Sequence, residues 1–195
     1  MIRLLLVAGF TLGLSAGCVQ LPGADSEAAA RYMLLSADNG TVTCKVPEKS
    51  LRLSVLKLSA GLDTDRVALR NRDTGEFTYL TGVRWIDSAG SMLEQRLASD
   101  LECHGYSVVS SHHRRSDQDS LNCEVRALNL IESDGAGKKA EVGLSCVYLP
   151  AQGQPAIAIQ SRQTEMVGSW RADEAIRALS AAYARQFNEL LDALD

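Results

Sequence analysis

The chain has 195 residues, of which 46% are hydrophobic and 23% are charged, and its formal net charge at pH 7 is −4. This acidic balance, in a sequence without a concentrated basic stretch, argues against nucleic acid as a partner, because phosphate binding requires a basic face. The length suits one domain with its own hydrophobic core rather than two.

An uncharged run, LLLVAGFTLGLSAG, spans residues 4–17 and follows a short region whose one charged side chain is Arg3. This is the anatomy of a signal peptide. A helix of this length rises about 21 Å, which is short of the roughly 30 Å that a membrane-spanning helix must cross. We therefore interpret residues 1–17 as a cleaved signal peptide.

The small residues Ser15 and Gly17 fit cleavage immediately before Cys18. The stretch LSAGC resembles a bacterial lipobox, although Ser15 stands where Leu is usual. That resemblance implies a diacylglycerol thioether on Cys18 and an acyl group, such as palmitate, on its amine. Each buried CH₂ adds about 0.8 kcal/mol, so several chains would hold the protein on a membrane. The alternative is a secreted protein that begins with Cys.

The next segment, VQLPGADSEAAAR, mixes Pro, Gly, Ala and charge without a strict period. We interpret residues 18–31 as the lipidated Cys and a flexible tether. The tether spans about 20 Å as a coil and about 43 Å fully stretched. Residues 32–195 are then predicted to form a single globular domain.

Two early segments have β character. Residues 50–61, SLRLSVLKLSAG, alternate apolar and polar side chains and predict a strand. Farther on, RVALRN and EFTYLT flank the sequence RDTG, in which Asp73 is expected to supply the local side-chain hydrogen bond, and Gly75 the positive φ, of a tight turn. The pattern predicts a β-hairpin.

The period becomes helical after Asp87 and predicts a helix from Ser88 to His104. Either Asp87 or Ser88 can cap its first amides, and Gly105 can end it in a left-handed turn. The apolar stripe consists of Met92, Leu93, Leu97 and Leu101, with Glu94, Gln95 and Asp100 expected to face away.

The next part of the chain predicts further strands. YSVVSS is followed by the polar loop HHRRSDQDS, and then by LNCEVRALNLI and AEVGLSCVYL, which a Gly-bearing linker joins as an antiparallel pair. AIAIQSRQTEMV predicts a third member. Leu128 and Leu130 are out of phase with Leu121 and Val125, which indicates either a bulge near Ala127 or burial on both faces.

The last segment, Arg171 to Leu194, has a wide apolar stripe and predicts a terminal helix that packs flat on a sheet. Its stripe consists of Ile176, Leu179, Tyr183, Phe187, Leu190 and Leu194. Antiparallel strands with one mid-chain and one terminal amphipathic helix predict an α+β fold, a two-layer sandwich with both helices on one face of a mostly antiparallel sheet.

Four cysteines follow Cys18, and export permits disulfides between them. The spacings contain no C-x-x-C pair, so a redox motif or a structural zinc site has little support. Because Cys123 and Cys146 lie in the two long paired strands, we expect them to be bonded to each other, which leaves Cys44 with Cys103.

Catalytic and metal motifs are lacking in the sequence. There is no G-x-S-x-G, no H-E-x-x-H and no P-loop. His104, His112 and His113 with Cys103 could supply metal ligands, but adjacent histidines in a charged loop do not converge on a tetrahedral metal without a scaffolded third ligand. We expect no metal, no cofactor and no enzymatic activity.

Three aromatic residues are candidate partner contacts. Trp85, directly before the first helix, has two interpretations: a core residue that fills the junction, or an apolar contact for a lipid or partner. Trp170, at the start of the last helix, has the same two interpretations. Tyr79, in the hairpin, precedes Trp85.

Several pieces in one order carry a family resemblance: RYMLLS, LRLSVLKL, FTYLTGVRWIDSAGSMLEQRLASDL, CEVRALNLIES and the closing helix. Together they resemble the ABC-type transport auxiliary lipoprotein component family, the paraquat-inducible protein C-like lipoproteins, over Tyr32 to Leu194. The most specific local piece is Tyr79 followed by Trp85. The cysteines are not part of the family pattern.

This resemblance implies a non-catalytic envelope lipoprotein of Gram-negative bacteria that works beside an ABC permease and ATPase and an MCE-domain protein, in a system that moves lipids or other hydrophobic molecules. It implies a fold similar to the amino-terminal domain of TolB, and it is compatible with a homo-oligomer. Val19 stands where Asp would signal inner-membrane retention, so we expect attachment to the outer membrane, facing the periplasm. The alternative is a TolB-like envelope assembly or structural lipoprotein without a role in lipid transport.

Overall fold

The computed structural model describes residues 29–35, 43–110, 118–135, 137–151 and 154–194. The predicted signal peptide, Cys18 and most of the predicted tether lie outside these ranges. The described residues form a mixed α+β fold with one sheet and two helices, in the order β1 Ala30–Tyr32, β2 Lys49–Leu53, β3 Arg66–Asn71, β4 Phe77–Trp85, α1 Ala89–Cys103, β5 Tyr106–Ser110, β6 Asp119–Ser133, β7 Gly137–Leu149, β8 Ile157–Val167 and α2 Ala172–Leu194.

The long strand β6 organises the sheet. On one edge it pairs antiparallel with β7 along most of its length, and β7 pairs antiparallel with β8. On the other edge, the first part of β6 pairs in parallel with β2, and its last part pairs in parallel with β3. Farther out in the sheet, β3 pairs with β4 and β4 pairs with β1, whereas β2 pairs with β5. The sheet is thus forked, because two short strands share one edge of β6.

Alternate residues of β6 and β7 form one apolar face. Leu121, Cys123 and Val125 pair with Tyr148, Cys146 and Leu144, and all six side chains belong to the core. The register then shifts between Val125 and Ala127, which confirms the predicted bulge and returns Leu128 and Leu130 to the same face. Ala127, Asn129 and Ile131 on the other face are buried as well, so both explanations of the phase change hold.

The predicted strand over residues 50–61 is shorter than expected. Ladder pairing ends at Leu53, and the chain then follows β6 irregularly, touching it again through an isolated bridge between Lys57 and Glu124. This irregularity shifts the side-chain phase, so Leu53 and Leu56 are both buried and Val55 is 60% exposed. The alternation in the sequence therefore overestimates the strand.

The hairpin of β3 and β4 is present, with Ala68 opposite Tyr79. Its turn uses Gly75 at a φ of 75°, as expected. The side chain that orders the turn is different from the predicted one, because Asn71 Oδ1 accepts hydrogen bonds from the amides of Asp73 and Thr74, both at 2.9 Å. Asp73 instead accepts from the amide of Asp134, which joins this turn to the β6–β7 turn.

Helix α1 begins and ends where the sequence predicts. Ser88 is the N-cap, and its hydroxyl accepts a hydrogen bond from the Ser91 amide at 3.3 Å. Gly105 follows the helix with a φ of 95°, a conformation that favours glycine. Asp100, however, does not face away from the core, because it lies against α2 and accepts a hydrogen bond from Tyr183. A buried phenol on the neighbouring helix requires an acceptor, and α1 provides this carboxylate.

Helix α2 lies on β8, β7 and β6. All six residues of its predicted stripe are buried, together with Ala175, Ala178, Ser180, Ala182 and Gln186. Asp173 and Glu174 occupy the first turn, where a carboxylate interacts favourably with the helix dipole. Within the described ranges, no helix is long and apolar enough to cross a membrane.

Two disulfides connect the elements in the expected pairing. Cys123 and Cys146, which are register partners in β6 and β7, are bonded, with 4.1 Å between their Cα atoms. Cys44 and Cys103 are bonded with 4.3 Å between Cα atoms, and this bond attaches the chain before β2 to the end of α1.

Candidate functional site

The sheet has a second face that carries the polar side chains of β6, β7 and β8. We call it the open face, because α1 and α2 pack against the other one and no described helix contacts it. On β8 the alternation is clear: every second residue from Ala158 to Met166 is exposed, whereas the intervening residues lie under α2 and are less exposed.

A buried carboxylate stands in the middle of the open face. Glu141 has a side chain that is 6% exposed, and its two oxygens lie 3.3 Å from guanidinium nitrogens of Arg70 and Arg162. Removing a carboxylate from water is costly unless it is paired, and the two arginines supply that pairing. Since Arg70 is on β3, Glu141 on β7 and Arg162 on β8, this cluster links strands on both sides of β6.

Tyr79 lies at the edge of the open face, opposite Ala68. Its hydroxyl donates to the carbonyl of Gly61 at 3.2 Å, and the guanidinium of Arg66 lies 4.1 Å from the ring centroid. Phe77 packs edge-on against it, with 5.7 Å between ring centroids. Tyr79 is half-buried and one edge of this aromatic pair reaches solvent, so it remains a candidate contact.

Trp85 is not available as a contact. Its side chain is 1% exposed and belongs to the core, which confirms the interpretation as a core residue and corrects the alternative of a partner contact. The physical reason is a register shift in the hairpin: Ala68 pairs with Tyr79, but Arg66 pairs with Arg84. Gly82, with a φ of 72°, lies within the shifted segment, and the strand beyond it turns Val83 and Trp85 toward the core.

Trp170 combines the two roles considered for it. Its indole Nε1 donates to Glu132 Oε1 at 3.3 Å, and the ammonium of Lys138 lies 5.2 Å from the ring centroid. The side chain is half-buried at the start of α2. These contacts position the ring, and the part that stays exposed leaves it a candidate contact.

A surface cavity of about 410 Å³ lies between α1 and the segment before β3. Asp63 Oδ1 accepts a hydrogen bond from the Gly90 amide at 3.0 Å in its wall, and a Cβ atom at Gly90 would lie only 2.8 Å from that oxygen. Asp63 and Glu94 give the cavity an acidic lining. The Asp63 carboxylate is already occupied as a helix cap, so the geometry supports a structural role.

Other polar and sulfur-bearing side chains in the described ranges make contacts within the fold. No group of three or more potential metal ligands occurs there, and the four cysteines are in disulfides. His104 Nδ1 lies 2.7 Å from the carbonyl oxygen of Asp100, whereas His112 and His113 lie outside the described residues. Burial raises the pKa of Tyr148, whose hydroxyl donates to Asp119 at 2.7 Å.

The sequence interpretation missed the cluster around Glu141. Arg70, Glu141 and Arg162 are separated by 21 to 92 positions along the chain, so proximity in sequence gave no signal. The available signal was the period-two pattern, because charged residues stand at alternate positions of β6, β7 and β8 where apolar ones would indicate burial on both faces.

A family model described as ABC-type transport auxiliary lipoprotein component matches residues 32–190. A search of curated proteins finds no match.

Several solved structures resemble the fold. The crystal structure of an uncharacterized protein superposes with a TM-score of 0.63 at 17% identity, covering 85% of this chain and 97% of the other. A protein from Xanthomonas campestris superposes with a TM-score of 0.63 at 19% identity, covering 78% and 91%. A hypothetical protein from Chlamydia trachomatis superposes with a TM-score of 0.51 at 6% identity, covering 75% and 95%. At these identities the likeness concerns the fold alone.

Proposed function

Because the chain belongs to the ABC-type transport auxiliary lipoprotein component family, we propose that it is a lipid-anchored, non-catalytic subunit of an ABC transport system. The observation that carries this proposal is the family match over residues 32–190, which covers almost the whole predicted domain. The family's description associates its members with ABC transport and with the cell envelope.

The proposal extends to the partner proteins, the transported molecules and the membrane to which the protein is attached. We propose an MCE-domain protein as a partner beside the permease and ATPase, and lipids or other hydrophobic molecules as cargo. Attachment to the outer membrane, facing the periplasm, follows from Val19 after the cleavage site. A fold likeness to the amino-terminal domain of TolB belongs to the same proposal.

The anchor is proposed to be Cys18, after removal of residues 1–17, with residues 18–31 as the tether of a domain over residues 32–195. The described structure supports a docking role rather than chemistry. The buried side chains of Glu141 and Tyr183 are engaged in contacts that hold the fold together. The half-buried rings of Tyr79 and Trp170 supply candidate contacts.

Palmitate labelling and membrane fractionation of Cys18→Ala test the anchor. We expect the variant to stay folded, to lose the label and to leave the membrane fraction. A matched control is Cys44→Ala/Cys103→Ala, which removes a disulfide but keeps Cys18. Equal membrane retention of Cys18→Ala and the wild-type chain would contradict lipidation as the anchor.

A further inference from the structure

The open face carries an excess of positive charge on a protein whose formal net charge is −4. On β6 and β7 and at the positions that pair with these two strands, this face holds six basic side chains and two carboxylates, an excess of four positive charges. The basic residues are Arg52, Lys57, Arg70, Arg126, Lys139 and Arg162, and the acidic ones are Glu124 and Glu141.

The two helices on the other side of the sheet carry an excess of negative charge. In α1 three carboxylates accompany Arg96, and in α2 four carboxylates accompany Arg177 and Arg185. The two helices together therefore have an excess of four negative charges. Charge is separated across the sheet, so an electrostatic field would orient the molecule with its open face toward a negative surface.

Apolar side chains are exposed between these cations. Phe77, Val109, Val147 and Met166 lie on the open face with 42%, 40%, 40% and 64% of their surface exposed. Basic side chains interspersed with exposed apolar ones suit the interfacial layer of an anionic bilayer, where the cations meet phosphates and the apolar groups enter the headgroup boundary.

A cavity of about 380 Å³ on this face has the donors that a phosphate group requires. Arg126 and Arg162, each with a 56% exposed side chain, flank it, and Ser145 and Gln160 line it. Each guanidinium is paired with one carboxylate, at 2.9 Å for Arg126 and 3.3 Å for Arg162. A guanidinium has five N–H donors, so both retain donors for a phosphodiester.

We propose that the open face lies on an anionic lipid surface and that the cavity between Arg126 and Arg162 receives a phospholipid headgroup. The charge is spread over five strands, which matches the diffuse charge of a bilayer better than the focused charge of an acidic protein patch. This inference rests on the proposed lipid anchor at Cys18, which would bring the face within reach of the membrane. Ten residues lie between Cys18 and the first described residue and extend at most about 36 Å.

Quenching by brominated lipids tests which side of the molecule meets the bilayer. The lipidated full chain would be reconstituted on brominated vesicles with and without phosphatidylglycerol, carrying Met166→Trp on the open face or Asn188→Trp on α2. Both substitutions replace a neutral exposed residue. The fluorescence of the native Trp85 and Trp170 is the same background in each variant. We expect phosphatidylglycerol to produce quenching of the tryptophan at 166 and none at 188.

Two matched charge variants test whether the positive charge of the open face causes its contact with the bilayer. Both double variants are made in the Met166→Trp background. Arg126→Gln/Lys139→Gln removes two positive charges from the open face. Arg171→Gln/Arg177→Gln removes two positive charges from the side of the molecule that carries the helices. We expect the first pair, and high salt, to abolish the quenching, and the second pair to leave it unchanged.

The outcomes separate the inference from the proposed function. If every variant fails to float with the vesicles, the lipid anchor is wrong and the inference falls with it. If the chain floats but positions 166 and 188 are quenched alike, or if the two charge pairs behave alike, the anchor stands and the orientation is wrong. An acidic protein surface would then be the occupant to consider.

Discussion

The hydroxyl of Tyr183 in α2 donates a hydrogen bond to Asp100 Oδ2 in α1, with 3.0 Å between the oxygens. The same carboxylate pairs with Arg96 at 2.8 Å, one turn earlier in α1. Tyr183 is 2% exposed, so without this acceptor its hydroxyl would be buried unpaired. The contact therefore fixes how the two helices pack against each other above the sheet.

Tyr183→Phe should lower the free energy of unfolding by about 1 kcal/mol, because the ring is kept and only the hydrogen bond is lost. Urea unfolding at neutral pH measures this. Tyr79→Phe, at a half-buried site, should change the stability less. An unchanged stability of Tyr183→Phe would show that the interhelical hydrogen bond contributes nothing net.

Alkaline pH should weaken the fold through the same residue. Burial, and then the charge of Asp100, raise the pKa of Tyr183 well above its ordinary value of 10.0. A raised folded-state pKa leaves stability intact below the unfolded value and loses it as pH rises above that value. The unfolding free energy of the wild-type chain should fall more steeply above pH 10 than that of Tyr183→Phe. Parallel curves for the two proteins would contradict this assignment.

The two disulfides should contribute strongly to stability. The loop closed by Cys123 and Cys146 has a sequence separation of 23, and the loop closed by Cys44 and Cys103 has one of 59. The chain-entropy account gives about 3 to 4 kcal/mol for loops of these sizes, with the larger value for the longer loop. Urea unfolding of each double Cys→Ala variant measures this, and non-reducing peptide mapping checks the pairing. A Cys44 to Cys123 peptide would contradict it.

Glu141→Gln should reduce the unfolding free energy by about 1 to 2 kcal/mol. The substitution keeps the shape but removes the charge that two guanidiniums surround, and those arginines are 41% and 56% exposed, so solvent limits the loss. Glu124→Gln is the matched control, because its pair with Arg126 is exposed on both sides and should contribute little. Thermal unfolding of the two variants compares them, and equal melting temperatures would contradict a central role for Glu141.

Leu179→Ala should lower the free energy of unfolding by about 2 to 5 kcal/mol, because Leu179 lies on the buried side of α2, in the core. Arg177→Ala, on the exposed side of the same helix, should change the stability by less than about 0.5 kcal/mol. Thermal unfolding measures both. If Leu179→Ala melted like the wild-type chain, the stripe of α2 would not pack on the sheet.

The elements with strong local patterns could be predicted from the sequence. The stripe of α2, a cap at Asp87 or Ser88 and the end of α1 at Gly105 are short-range features, and the structure has all three, with Ser88 as the cap. The pairing of Cys123 with Cys146 followed from two long strands joined by one short linker. In each case the determining residues are neighbours along the chain or lie in one hairpin.

What could not be predicted depends on long-range contacts. Asp100 was expected to face solvent because a charged side chain on an amphipathic helix usually does, and only the packing of Tyr183 explains its position. The core position of Trp85 was one of its two interpretations, and only the register shift near Gly82 decides between them, whereas the cluster at Glu141 depends on three separated strands. Hydrophobic periodicity contains no information on any of these.

Co-purification tests the central claim most directly. The lipidated chain would be extracted from envelopes in mild detergent and its stoichiometric partners identified by mass spectrometry, with Cys18→Ala as the control for membrane attachment. The account predicts recovery of an MCE-domain protein together with an ABC permease and ATPase. Recovery of envelope assembly or structural proteins alone, without any transporter component, would contradict it.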